Sequence, residues 1–142
     1  MIKNMKVLSV FSSNSELVNL FDDFMANYDL VKLSSKDADT KYYTKPNLDR
    51  NEIYFHYLLN NIKDEFSYNY SKDEQKEIID YFEASDFYLF DIQYKDELFL
   101  NNLILDFQNY LKYINEYDKQ KILINHNKMG IVPLQYFNFT VG

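Results

Sequence analysis

Phe87-Tyr-Leu-Phe-Asp-Ile-Gln-Tyr94 runs through Lys95 and Asp96 into Glu97 and a helical pattern. The octapeptide has no turn-forming residue, and four of its eight positions are aromatic. Aromatic side chains fit a pleated, half-buried surface, so the segment predicts a strand, one mixed enough to be central. From Glu97 the period changes. Leu100, Leu103, Ile104, Phe107, Leu111 and Ile114 recur at i, i+3 and i+4, with Phe99 and Tyr110 at the edge. That spacing predicts a long helix to about Tyr117 with Asp96 as its cap.

Working upstream, Ser71-Lys-Asp-Glu74 is a capping box. It predicts a helix to about Ala84, with Ile78, Ile79 and Phe82 on one side. A further helix is expected from about Asp49, with Glu52 near its cap and a stripe of Phe55, Leu58, Leu59, Ile62 and Phe66. Tyr68 and Tyr70 fall in the short connection after it, and the polar stretch Ser35–Asn47 reads as a long loop.

Met5–Phe11 predicts a buried first strand. Ser13-Asn-Ser-Glu16 offers a capping box, and Leu17, Leu20, Phe21, Phe24, Met25 and Tyr28 mark the core face of the next helix. Leu30–Ser34 predicts a short strand. Strand, helix and strand together suit a right-handed parallel βαβ unit, with a shorter antiparallel return as the alternative.

Downstream, Ile122–Asn125 and Ile131–Phe139 suggest a hairpin around His126–Gly130. Pro133 should place its last strand at an edge or a bulge. The predicted order is β-α-β-α-α-β-α-β-β. The fold class is therefore α/β or α+β, a single sheet of about five strands covered by four helices in one domain, residues 1–142.

The 142 residues include 14 Tyr and 12 Phe but no Cys, two His and two Gly, and 22 Asp+Glu against 15 Lys+Arg leave a net charge of −7. Only Arg50 is an arginine. AT-rich codons account for part of the tyrosine richness but less readily for the acidic excess. Lack of cysteine removes disulfides, thiolate zinc sites and a cysteine nucleophile. Neither Gly130 nor Gly142 lies at a strand-to-helix turn, which argues against phosphate-cradling glycine loops. No G-x-S-x-G nucleophile elbow occurs. The acidic balance disfavours direct nucleic-acid binding, which draws on Lys and Arg. The N-terminal apolar run is too short for a signal peptide and no stretch is long enough for a membrane span, so a cytoplasmic location is expected.

The helix after Ser71 carries the sharpest surface signal. At about 100° per residue, Asp73, Glu77, Asp80 and Glu83 gather on one face. Such a ridge suits a basic partner and equally a solvated helix face, and Lys72 and Lys76 dilute it through i,i+4 pairing. Tyr42, Tyr43, Tyr54, Tyr57, Tyr68, Tyr70 and Tyr113 fall outside the core stripes, where tyrosine offers rigid contact area plus a hydroxyl. His56, beside the second helix's stripe, and His126, in the hairpin loop, are candidate general bases without evident partners. Asp91, Asp96 and Glu97 cluster at the end of the strongest strand, the end where open α/β sheets bind ligands.

In size, acidity and poverty of catalytic groups the chain is similar to immunity proteins of bacterial competition systems, although no family-specific motif is present. The expected function is that of a small, non-enzymatic inhibitor that neutralises a bacterial toxin, a nuclease above all, by plugging its basic cleft. Asp73, Glu77, Asp80, Glu83, Tyr68 and Tyr70 are the expected contacts. The partner is a basic toxin domain, with no cofactor, resident metal, nucleic acid or membrane. Two other readings stand beside it. One is a metal-dependent enzyme with Asp91, Asp96 or Glu97 as ligands and His126 as proton shuttle. The other is a structural or adaptor subunit.

Overall fold

The computed structural model describes residues 6–14, 16–28, 31–33, 40–44, 54–60, 70–83, 88–126 and 129–137, with backbone alone for 31–33, 40–44 and 54–60. Its strands are β1 (Lys6–Ser12), β2 (Val31–Leu33), β3 (Thr40–Thr44), β4 (Tyr54–Asn60), β5 (Tyr88–Tyr94), β6 (Ile122–His126) and β7 (Gly130–Pro133). The helices among the described residues are α1 (Glu16–Ala26), α2 (Lys72–Phe82) and α3 (Glu97–Tyr113), with a short 3₁₀ turn at Leu134–Tyr136. The strands form one sheet in the order β2-β3-β4-β5-β1-β6-β7, and every neighbouring pair is antiparallel. The fold is α+β.

Tyr88–Tyr94 of the opening octapeptide is β5, in the middle of that sheet between β4 and β1. Its side chains alternate as the pleat demands. Phe90, Ile92 and Tyr94 enter a core with Leu8 and Val10 of β1, Ile122 and Ile124 of β6, α1 and α3. Leu89 faces the other way, with Phe11 and Leu123, against Tyr70 and α2. The sheet is thus covered on both sides, by α1 and α3 on one face and α2 on the other.

Phe21 shows why the larger core is aromatic. Its ring lies 4.9 Å from Phe90 and 5.1 Å, edge-on, from Phe107, so α1 reaches the sheet and α3 through one side chain. Such ring pairs add stabilisation beyond area burial. The expected stripe of α1 is buried at Leu17, Phe21, Phe24 and Met25, with Leu20 and Tyr28 packed at its margin.

Three local expectations change. First, the parallel βαβ unit is not formed, because β1 is flanked by β5 and β6, and β2 lies beyond β3 and β4. Second, the helix expected from about Asp49 is replaced, over Tyr54–Asn60, by strand β4, and part of the supposed loop, Thr40–Thr44, is strand β3. Tyr54-Phe-His-Tyr-Leu-Leu-Asn is short, aromatic and apolar, a run that fits a buried strand as well as a helical stripe. Threonine and tyrosine give Thr40–Thr44 the composition of a strand as well. Pairing with β5 on one side and β3 on the other satisfies the β4 backbone and decides the matter. Ile62 and Phe66 of the expected stripe lie outside the described residues. Third, α1 opens on Asn14, whose Oδ1 accepts from the Glu16 amide at 2.9 Å, in place of the expected Ser13–Glu16 box.

Other local expectations hold. Ser71 and Glu74 make both bonds of the α2 capping box, and Asp96 accepts from the Leu98 amide at 3.0 Å. α3 ends at Tyr113, a turn short of the expected Tyr117, and Asn115 takes a positive φ of 61° as the chain turns away. β6 and β7 form the terminal hairpin with β7 at the sheet edge, where Pro133 removes no needed donor. The last strand stops at Pro133, and the chain coils into the 3₁₀ turn instead of continuing to Phe139. Among the described residues no helix is long and apolar enough to cross a membrane.

Candidate functional site

The acidic face of α2 is the first candidate. Asp73, Glu77, Asp80 and Glu83 are all exposed, while Ile78 and Phe82 on the opposite side are buried against Phe11, Leu89 and Leu123. The capping box fixes where the helix starts, and the buried pair fixes its rotation. Together they determine that the carboxylates point outward. The expected dilution by lysine is not seen: no ion pair joins Lys72 or Lys76 to any of the four among the described residues. Glu83 ends the helix in the left-handed region, φ 54°. Ile79, expected beside Ile78 and Phe82, is instead exposed on α2, and Tyr88 and Tyr136 add exposed apolar surface elsewhere on the molecule.

Tyr70, one of the two tyrosines grouped with this face, separates from it. Tyr70 is only 8% exposed and packs edge-on against Phe11 at 5.4 Å. Its hydroxyl is 3.4 Å from Asn125 Nδ2. Burial raises its pKa above the usual tyrosine value; hydrogen bonds from Ser9 and Asn125 oppose this, and the charges of Asp91 and Glu74 add to it. Tyr70 therefore serves as a neutral, inward-facing residue. Tyr68 lies outside the described residues. Of the other tyrosines, Tyr113 is exposed as expected, at 85%, and Tyr42, Tyr43, Tyr54 and Tyr57 lie in β3 and β4.

The carboxylates grouped near the end of β5 do not converge. Asp91 lies on the α2 side of the sheet, where it accepts from Ser9 Oγ at 2.7 Å beside Tyr70 and Asn125. Asp96 caps α3. Glu97 belongs to a different cluster on the opposite face. Among the described residues no three His, Asp or Glu side chains stand close enough to hold a metal ion.

The Glu97 cluster is one that sequence reasoning only half found. His126 is the last residue of β6, not a loop residue, and is 0% exposed. Its Nε2 lies 3.3 Å from Glu97 Oε2 and 3.4 Å from the Tyr94 hydroxyl. Tyr94 donates to Glu97 Oε1 at 3.2 Å, and Lys6 Nζ pairs with the same oxygen at 3.1 Å. Burial raises the Tyr94 pKa strongly, and the charge and hydrogen bond of Glu97 raise it further, so its hydroxyl remains a donor. Burial also pushes Glu97 upward, but Lys6 and His126 outweigh it and hold the carboxyl below its ordinary range. The group ties β1, β5, β6 and α3 together. With His126 enclosed, its chemistry is that of a structural polar network. His56 falls in β4, opposite Tyr42 in register.

A cleft of about 400 Å³ opens at the C-terminal end of α2, bordered by Tyr81, the turn after α3 and the 3₁₀ segment. No sequence pattern marked it, because its walls are brought together from three separate parts of the chain.

No protein-family model, curated protein or solved structure matches the chain.

Proposed function

We propose that this protein binds and neutralises a basic protein partner through the exposed face of α2. The most economical form of this reading is an immunity protein that occludes the basic cleft of a bacterial nuclease toxin. One observation carries it. Four carboxylates, Asp73, Glu77, Asp80 and Glu83, stand exposed and without cationic partners among the described residues, on a helix anchored by Ile78 and Phe82. A rigid row of unpaired negative charge on a chain of net charge −7 raises a local potential that speeds encounter with a basic surface. Neutral neighbours then supply the close contacts that slow release.

The test is a double charge reversal, Glu77→Lys with Asp80→Lys. The tagged chain captures its partner from the cells that make it, and association is then timed against that purified partner. Folding stability should change by no more than about 0.5 kcal/mol, because both positions are exposed. Association at low salt should slow about tenfold or more, and its salt dependence should flatten. Co-expression with the partner should restore growth for the native chain and fail for the variant. An unchanged association rate and salt slope would remove α2 from the interface.

A further inference from the structure

The cleft beside Tyr81 has a lining unlike the rest of this acidic molecule. Two lysines, Lys119 and Lys121, stand against one carboxylate, Asp118. Two tyrosine rings, Tyr81 and Tyr117, form walls, and the buried Ile122 and Leu134 form an apolar floor. Lys121 Nζ is held 4.6 Å from the centre of the Tyr81 ring, which fixes a positive charge at the wall. Lys119 is 69% exposed and meets Glu116 only at 4.0 Å, leaving its charge available.

The third feature is a buried acceptor. Gln120 lines the cleft, and its Oε1 is closed off from solvent without a donor among the described residues. Its Nε2 is already committed to Glu116 Oε2 at 3.2 Å. A shielded carbonyl oxygen of this kind is costly until a donor reaches it.

We propose that this cleft binds a small planar ring bearing an anionic group and an amine donor, the chemistry of a nucleoside monophosphate. The volume lies within the range of small-molecule sites, which join apolar and aromatic walls to a few placed polar groups. The ring packs beside the tyrosine walls, over Ile122 and Leu134. The anion meets Lys119 and Lys121, which act as point charges toward phosphate. The Gln120 side chain turns to bring Oε1 into the cleft, and the exocyclic amine donates to it. This site needs no protein partner and is independent of the reading of the α2 acidic face.

Adenosine monophosphate, adenosine and inorganic phosphate, each titrated into the ¹⁵N-labelled full chain, separate the three contributions. Adenosine monophosphate should bind saturably, shift amides at 117–121 and 134–135, and bind about tenfold or more tightly than either fragment. Lys119→Glu with Lys121→Glu should weaken it about tenfold or more while the thermal midpoint holds. Gln120→Leu should weaken adenosine monophosphate and leave inorganic phosphate unaffected. The proposal is overturned if adenosine monophosphate binds no tighter than phosphate, which would mean a simple cationic patch. It is equally overturned if adenosine matches it, if the shifts lie elsewhere, or if the double variant binds as well as the native chain.

Discussion

Glu97 is the residue on which most of the polar interior depends. One carboxylate serves Lys6, Tyr94 and His126, and the last of these has no access to solvent. Glu97→Gln keeps the shape but removes the charge, and leaves a buried histidine facing a neutral amide. The expected loss is about 1–3 kcal/mol at neutral pH, read from urea unfolding. The pH dependence has a definite sign. The folded pKa of Glu97 lies below its ordinary value of 4.5, so the folded state binds this proton less readily than the unfolded state. The stabilisation is complete above pH 4.5 and is lost as pH falls through the folded value. The gap between native and variant should therefore close in acid. A gap that stays constant down to pH 3, on a scale where ordinary carboxylates titrate near 4, would show that the charge contributes nothing.

α2 shows the same logic one level up. Its mean composition is polar, and only Ile78 and Phe82 among its residues are buried. A helix with so narrow an apolar face depends on its ends. The reciprocal bonds of Ser71 and Glu74 satisfy amides that would otherwise lack partners. Ser71→Ala should cost about 1 kcal/mol, measured as a lowered urea midpoint at unchanged slope. If α2 is the partner-binding element, the same variant should also speed dissociation. α3 is the contrast. It buries residues along most of its length, including Asn101 and Gln108, which no apolar stripe would have marked. Tyr117 partly explains Gln108, whose Oε1 accepts from the tyrosine hydroxyl at 3.3 Å.

Across the whole molecule the two faces of the sheet carry unequal loads. The α1/α3 side holds the larger core, including Phe21, Phe90 and Phe107, and the α2 side holds a smaller one around Phe11. Phe107→Ala removes a ring that touches both Phe21 and Phe24 and should cost about 3–5 kcal/mol. Calorimetry should show that loss as a large fall in thermal midpoint. A change of a degree or two would mean that α3 does not close over the sheet as described. This asymmetry suits a binding role for α2, since the face with less committed core carries the unpaired charge.

Local order was legible wherever one residue pattern admitted one structure. The stripes of α1 and α3, the caps at Ser71 and Asp96, the strand at β5 and the terminal hairpin all follow from neighbours in the chain. The exposed carboxylates of α2 were equally legible, because a helix face follows from spacing alone. Residues 54–60 were not legible, because an apolar run of that length satisfies either period. Only backbone pairing with β3 and β5 selected the strand. The burial of His126 and Tyr70 is not legible in the sequence for a related reason. Burial is a property of what packs on a residue, and for both the covering groups come from distant segments. The sequence by itself determined the periods of α1, α2, α3 and β5, the caps at Ser71 and Asp96 and the charge of each element, since these depend on residues a few positions apart. Tertiary structure alone decided the strand order, the Glu97–His126 network and the cleft beside Tyr81. Each of these joins groups far apart in the chain, and nothing in local spacing records which distant surfaces will meet.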